Sequence, residues 1–194
     1  NNIVYMGMGE PMANFNAVEE SLRMLTNPDL FNFGDRHIAI STSGLVPGIV
    51  KLGKNWPQVN LALSLHVAND AERTAMMPVN KAFNLEKLQE ALKTYFTFTR
   101  RKVFLEYILL NGQNDTPRHA RELAGFIRGV GVRHLLHVNL IVYNKTNSDY
   151  EETPREHARE FLEMLRNEGI RATIRKNLGR DIQGACGQLA GVKE

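Results

Sequence analysis

The sequence has one cysteine in 194 residues, 7 prolines, 8% aromatic residues and no long apolar run. A single thiol excludes an internal disulfide and any metal centre built from several thiolates of this chain, and it fits a reducing compartment, the cytoplasm. No stretch approaches the ~18 apolar residues of a bilayer crossing, which excludes an integral membrane protein. Neither sign of charge dominates, with 24 Lys+Arg against 21 Asp+Glu. The resulting +3 and a pI near 9.1 permit a nucleic-acid partner without requiring one. No initiator methionine or signal segment precedes the strand-like Ile3-Val4-Tyr5, so a piece of a longer protein is expected. What is present is an ordinary globular composition, 43% hydrophobic and 23% charged, which excludes disordered and collagen-like classes.

Apolar periodicity places strands at residues 3–6, 37–41, 59–65, 103–110, 135–142 and 170–175. Helices are expected between them. The first, over 16–26, carries Val18, Leu22 and Leu25 on one face, with Asn16 and Glu19 as a capping box. A short one over 45–53 tolerates Pro47 in its first turn. After a polar loop over 69–81, Asn84 caps a helix carrying Leu85, Leu88, Leu92 and Phe96. Thr116-Pro117 and Thr153-Pro154 open the last two, and Gly169 stops the second of these. Six strands alternating with five helices imply an α/β fold, a parallel sheet with the helices outside. A complete eight-stranded barrel needs ~250 residues. The expectation is therefore one domain over 1–194, an open or partial βα barrel or an α/β sheet over 1–175, with a glycine-rich tail over 176–194.

In parallel α/β folds ligands bind at the carboxyl ends of the strands, where loops carry polar groups and helix N-termini face the same side. Those ends are Gly7-Met8-Gly9-Glu10-Pro11, Ser41-Thr42-Ser43-Gly44, Ser64-Leu65-His66, Asn111-Gly112 and Asn144. The two glycines let a ligand approach the main chain, and Glu10 is suited to an ammonium group. A dinucleotide fingerprint is disfavoured, since Met12 stands where the third glycine belongs. Ser41, Thr42 and Ser43 suit ribose hydroxyls or a helix cap. His66 reads as a packed histidine or a ligand, and Asn144 as a loop residue or a contact to a carboxylate or adenine edge. Cys186 lies in Gly184-Ala185-Cys186-Gly187-Gln188, a setting that suits a swinging nucleophile as well as an inert thiol. Of the basic groups, Arg100-Arg101-Lys102 reads as solvated surface, while Arg171, Arg175, Lys176 and Arg180 near the tail suit RNA phosphates.

Taken together, the first three of those strand-end motifs and Ala185-Cys186-Gly187-Gln188-Leu189-Ala190-Gly191 resemble one family, in order from Ile3 to Gly191. It is the radical S-adenosylmethionine methyltransferases that modify carbon 2 of an adenine in 23S ribosomal RNA and, in many bacteria, in transfer RNA. The resemblance implies a radical-SAM partial barrel truncated at its N-terminus. It also implies S-adenosylmethionine contacts from Gly9, Glu10, Ser41, Ser64, Leu65, His66 and Asn144. Cys186 then matches the cysteine that becomes S-methylated. In the family's mechanism one S-adenosylmethionine methylates this cysteine, and a second yields a 5′-deoxyadenosyl radical that activates the methyl group for addition to the base. Carbon 2 of adenine is electrophilic, and a protein-borne carbon radical avoids polar methyl transfer to it.

The family's Cys-x-x-x-Cys-x-x-Cys motif, resolving cysteine and proton-accepting glutamate match nothing in this sequence, so the resemblance puts the [4Fe–4S] ligands in the full-length parent. The chain alone is expected to be inactive and to supply no metal ligand. Implied partners are 23S rRNA, tRNA and an electron donor such as flavodoxin, with no membrane. Three alternatives stay open: an adenine carbon-8 methyltransferase of the antibiotic-resistance type, a non-catalytic RNA-binding α/β module, and a phosphosugar enzyme on a barrel-like fold.

Overall fold

A computed structural model of the chain describes residues 1–144 and 149–175. Its sheet has six strands: β1 (Ile3–Tyr5), β2 (Ile38–Thr42), β3 (Asn60–Ser64), β4 (Val103–Leu109), β5 (Leu136–Val142) and β6 (Ala172–Ile174). They lie in chain order, and every neighbouring pair is parallel. Parallel neighbours need a crossover, which here is helical. The helices are α1 (Phe15–Thr26), α2 (Val46–Asn55), α3 (Asp70–Met76), α4 (Leu85–Phe98), α5 (Pro117–Val130) and α6 (Arg155–Asn167).

Because every crossover steps to the next strand in the same direction, and crossover hand is nearly invariant, the helices gather on one face of the sheet. Burial follows that geometry. On β4, Val103, Leu105, Tyr107 and Leu109 are fully buried towards the helices, whereas Phe104 and Ile108 on the other face stay partly open. On β5, Leu136, Val138, Leu140 and Val142 alternate in the same way with His137, Asn139 and Ile141. Each fully buried leucine stabilises the fold by roughly 2 kcal/mol. The helix-free face is the inner wall of an open βα barrel, and the strand ends form its rim.

Three local expectations need correction. The polar segment 69–81 is not a loop but α3 followed by a 3-10 turn, Pro78–Lys81. Asn69 starts α3 by accepting from the Ala71 and Glu72 amides, and the helix shows no apolar stripe because the residue it buries is Arg73. There is no Asn16–Glu19 capping box: α1 begins one residue earlier, and Glu19 instead accepts from Asn55 Nδ2 and Trp56 Nε1 on the α2 side. Finally, Thr153 caps nothing; its hydroxyl donates to the buried Asp115 carboxylate at 3.0 Å, tying the start of α6 to the loop after β4. Asn84 and Thr116 do cap as the sequence predicts, Thr116 through a reciprocal pair with His119.

Candidate functional site

The loop after β1 turns at Gly9, whose φ of +96° is the left-handed region that glycine enters without strain. Among the described residues nothing lies within 4 Å of where a side chain would stand on Gly7 or Gly9, so the backbone there is uncovered by them. The turn delivers Glu10 across the rim to β2. One carboxylate oxygen accepts from the Met12 amide at 3.0 Å, and the other accepts from both the amide and the hydroxyl of Ser43, each at 2.7 Å. Thr42 Oγ1 accepts from the Gly44 and Leu45 amides and so shapes the start of the following segment.

A buried arginine holds the next two strand ends. Arg73 Nη2 donates to the carbonyls of Ser43 and Ser64, Nε to that of Leu65, and Nη1 to Asn80 Oδ1. Burial lowers the pKa of this guanidinium to about 10, so it remains a cation at neutral pH. The chain then passes through His66, which holds φ +59°, an uncommon region for a residue with a side chain. Three contacts maintain it: its amide donates to the Glu106 carbonyl, its carbonyl accepts from Asn114 Nδ2, and its ring Nδ1 accepts from the Ile108 amide. Burial, with the Arg73 charge adding to it, depresses the pKa of the imidazole to about 4. The ring is therefore neutral near pH 7, and since Nδ1 accepts, Nε2 carries the proton.

Glu10, Thr42, Ser43 and His66, with Arg73 behind them, border a cavity of about 390 Å³ at the carboxyl ends of the strands. Gly9, Glu10, Ser41, Ser64, His66 and Asn144 all line it, so the structure brings together residues spread from position 9 to position 144 of the sequence. Leu65 does not join them: it is fully buried, outside the cavity's lining. Asn111 and Gly112 also lie outside that lining. Cys186, Lys176 and Arg180 lie outside the described residues. Sequence reading missed two side chains that matter here. Arg73 left no signal, since an arginine in a polar segment looks solvated. Glu106 did leave one, as the lone acid within the apolar run Val103-Phe104-Leu105-Glu106-Tyr107-Ile108.

A second group of potential ligands, Glu72, His119 and Glu122, gathers on α3 and α5. Arg118 already pairs with both glutamates and so supplies the positive charge there. Among the described residues no helix is long and apolar enough to cross a membrane.

A probable dual-specificity RNA methyltransferase RlmN of Roseiflexus is 43% identical over 99% of this chain and 50% of its own length. A ribosomal RNA large subunit methyltransferase Cfr of Lachnoclostridium phytofermentans is 42% identical over all of this chain and 57% of its own. A crystal structure of a radical SAM methyltransferase from Sphaerobacter thermophilus superposes with a TM-score of 0.90 at 43% identity, covering 96% of this chain and 54% of that one. The chain belongs to the RlmN/Cfr family. It spans about half the length of the curated RlmN/Cfr relatives it matches. A domain of a pyruvate-formate lyase-activating enzyme from Bacteroides vulgatus, only 16% identical, shares the fold with a TM-score of 0.66. No family model matches the chain.

Proposed function

We propose that the full-length protein is an S-adenosylmethionine-dependent radical methyltransferase of carbon 2 of an adenine in 23S rRNA, acting also on tRNA. One observation carries the reading: the rim cavity assembles Gly9, Glu10, Ser41, Ser64, His66 and Asn144 from four strand ends around a volume suited to a small molecule. The residues present fit the cofactor. Backbone at Gly7 and Gly9, uncovered by the described residues, admits it closely, and the Glu10 carboxylate, already oriented by Ser43, would take its ammonium group. Ser41 and Ser64 offer hydroxyls, neutral His66 offers an Nε2–H donor, and Asn144 offers an amide. S-adenosylmethionine, when bound, supplies the transferred carbon and the radical-forming nucleoside.

The chain's own part is to orient, exclude water and carry the carbon on the Cys186 sulfur. The residues do not fit the iron–sulfur cluster, since such a cluster needs several cysteine thiolates and the sequence has one. The family's cluster ligands belong to the parent, with an electron donor such as flavodoxin, and the site of action is the cytoplasm.

The test uses the full-length protein reconstituted anaerobically, with mass spectrometry of nucleosides from treated rRNA and tRNA. The expected product is 2-methyladenosine, lost when Cys186→Ala is introduced; methylation unchanged in that variant overturns the cysteine-carrier reading. The 194-residue chain alone is expected to retain no stoichiometric iron and sulfide. A second reading, methylation at carbon 8, rests on the Cfr relative being as similar as the RlmN one. 8-Methyladenosine in the same digest decides for it.

A further inference from the structure

Parallel register sets Ser64, Glu106, Asn139 and Thr173 side by side on β3 to β6, a polar row across the inner wall of the barrel. Most of the row is tied together. Asn139 Nδ2 donates to Glu106 Oε1 at 3.0 Å, Thr173 Oγ1 donates to Asn139 Oδ1 at 3.3 Å, and His137 Nε2 meets Thr173 Oγ1 at 2.9 Å. This chain clamps Glu106 from one side. The glutamate is only 7% exposed, yet its second oxygen, Oε2, has no hydrogen-bond partner among the described residues. A buried, unpartnered carboxyl oxygen is costly, and native structures retain such atoms where a ligand or catalytic step uses them. Burial raises the pKa of the group, while Asn139 and the Arg175 charge act against that rise.

Glu106 lines the rim cavity together with Ile108, Ile141 and Val142. This end differs in kind from the Glu10 end, three strands away and on the order of 14 Å at ordinary strand spacing. At the Glu10 end, backbone and charge suit an amino acid head group. At the Glu106 end, aliphatic walls beside a fixed carboxyl oxygen, with Ser64, Asn144 and Arg175 also in the lining, suit a flat heterocycle with a hydrogen-bonding edge and its sugar.

We propose that Glu106 is a specificity-determining residue whose free carboxyl oxygen hydrogen-bonds the adenosine moiety of the molecule bound in this cavity. The inference rests on the function proposed above and deepens it. Two sources present adenosine to such a site, the nucleoside half of S-adenosylmethionine and the target nucleotide of the RNA.

The test is equilibrium binding to the full-length, cluster-bearing protein by calorimetry, comparing wild type with Glu106→Leu. Glu106→Ala carries the same expectation if the leucine variant does not fold. Probes are S-adenosylmethionine, free methionine, and an RNA stem-loop carrying either the target adenosine or an abasic site in its place. If the cofactor is the source, the variant binds S-adenosylmethionine about tenfold more weakly, with methionine unchanged. If the RNA is the source, the loss falls on the adenosine stem-loop alone and spares the abasic one. Unchanged affinity for both adenosine probes overturns the proposal, as does an equal loss for methionine and S-adenosylmethionine, which marks a structural role. Failure of the wild type to bind S-adenosylmethionine removes the underlying function along with it, so the two failures are told apart.

Discussion

The two halves of the barrel rim treat their polar groups in opposite ways. On β1 to β3, Glu10, Ser43, Thr42 and Arg73 are knitted to one another and to the backbone, with both carboxylate oxygens of Glu10 engaged and four donations from Arg73. On β4 to β6, the row through Asn139 and Thr173 holds Glu106 by one oxygen and leaves the other open. The first half is a support whose hydrogen bonds contribute to folding while they orient the Glu10 carboxylate for a ligand. The second keeps a polar atom in reserve, which folding alone does not reward.

The contrast is most exposed to a change at Arg73. Replacing it by leucine takes a donor from the carbonyls of Ser43, Ser64 and Leu65, the last of which keeps the Val67 amide, and from Asn80 Oδ1, and a loss of about 3 kcal/mol in denaturant unfolding is expected. A loss below about 1 kcal/mol would show that the first half is not the rigid support described. Next comes acid. His66 is neutral in the fold down to about pH 4, whereas in the unfolded chain it takes up a proton near pH 6.5. The unfolded state therefore binds more protons between those values, and stability falls as pH drops from 6.5 to about 4, by roughly 3 kcal/mol in total. His66→Gln flattens that part of the stability–pH curve; an unchanged slope in the variant assigns the effect elsewhere.

Gly9→Ala probes the turn that carries Glu10. With no atom of the described residues near the added carbon, its cost is the strain of φ +96°, about 1–2 kcal/mol in thermal unfolding. The smallest effect belongs to the second half. Glu106→Gln preserves the acceptor for Asn139 Nδ2 and is expected to change stability by less than about 1 kcal/mol. A large destabilisation there would make Glu106 part of the support and erase the contrast between the halves.

The strands and the polar strand ends were legible because apolar periodicity and glycine turns are written locally: β2 to β5 fall within a residue or two of their expected bounds. Less local features escaped. Helix α3 was hidden because its buried residue is an arginine, which apolar periodicity cannot register. Thr153 carried a capping pattern, but its hydroxyl found a better acceptor 38 residues away in Asp115. His66 was ambiguous for a related reason: its left-handed backbone is held by Glu106 and Ile108, some 40 residues away, and its low pKa comes from burial, with the Arg73 charge adding to it.

By itself the sequence determined the alternation of strands and helices, the polar character of each strand end and the family motifs, since each depends on neighbours within a few residues. Tertiary structure alone decided which of those polar groups are used up in holding the rim and which remain available. Hydrogen-bond satisfaction depends on groups that meet only when distant strands lie in register, and the open oxygen of Glu106 is a property of that register.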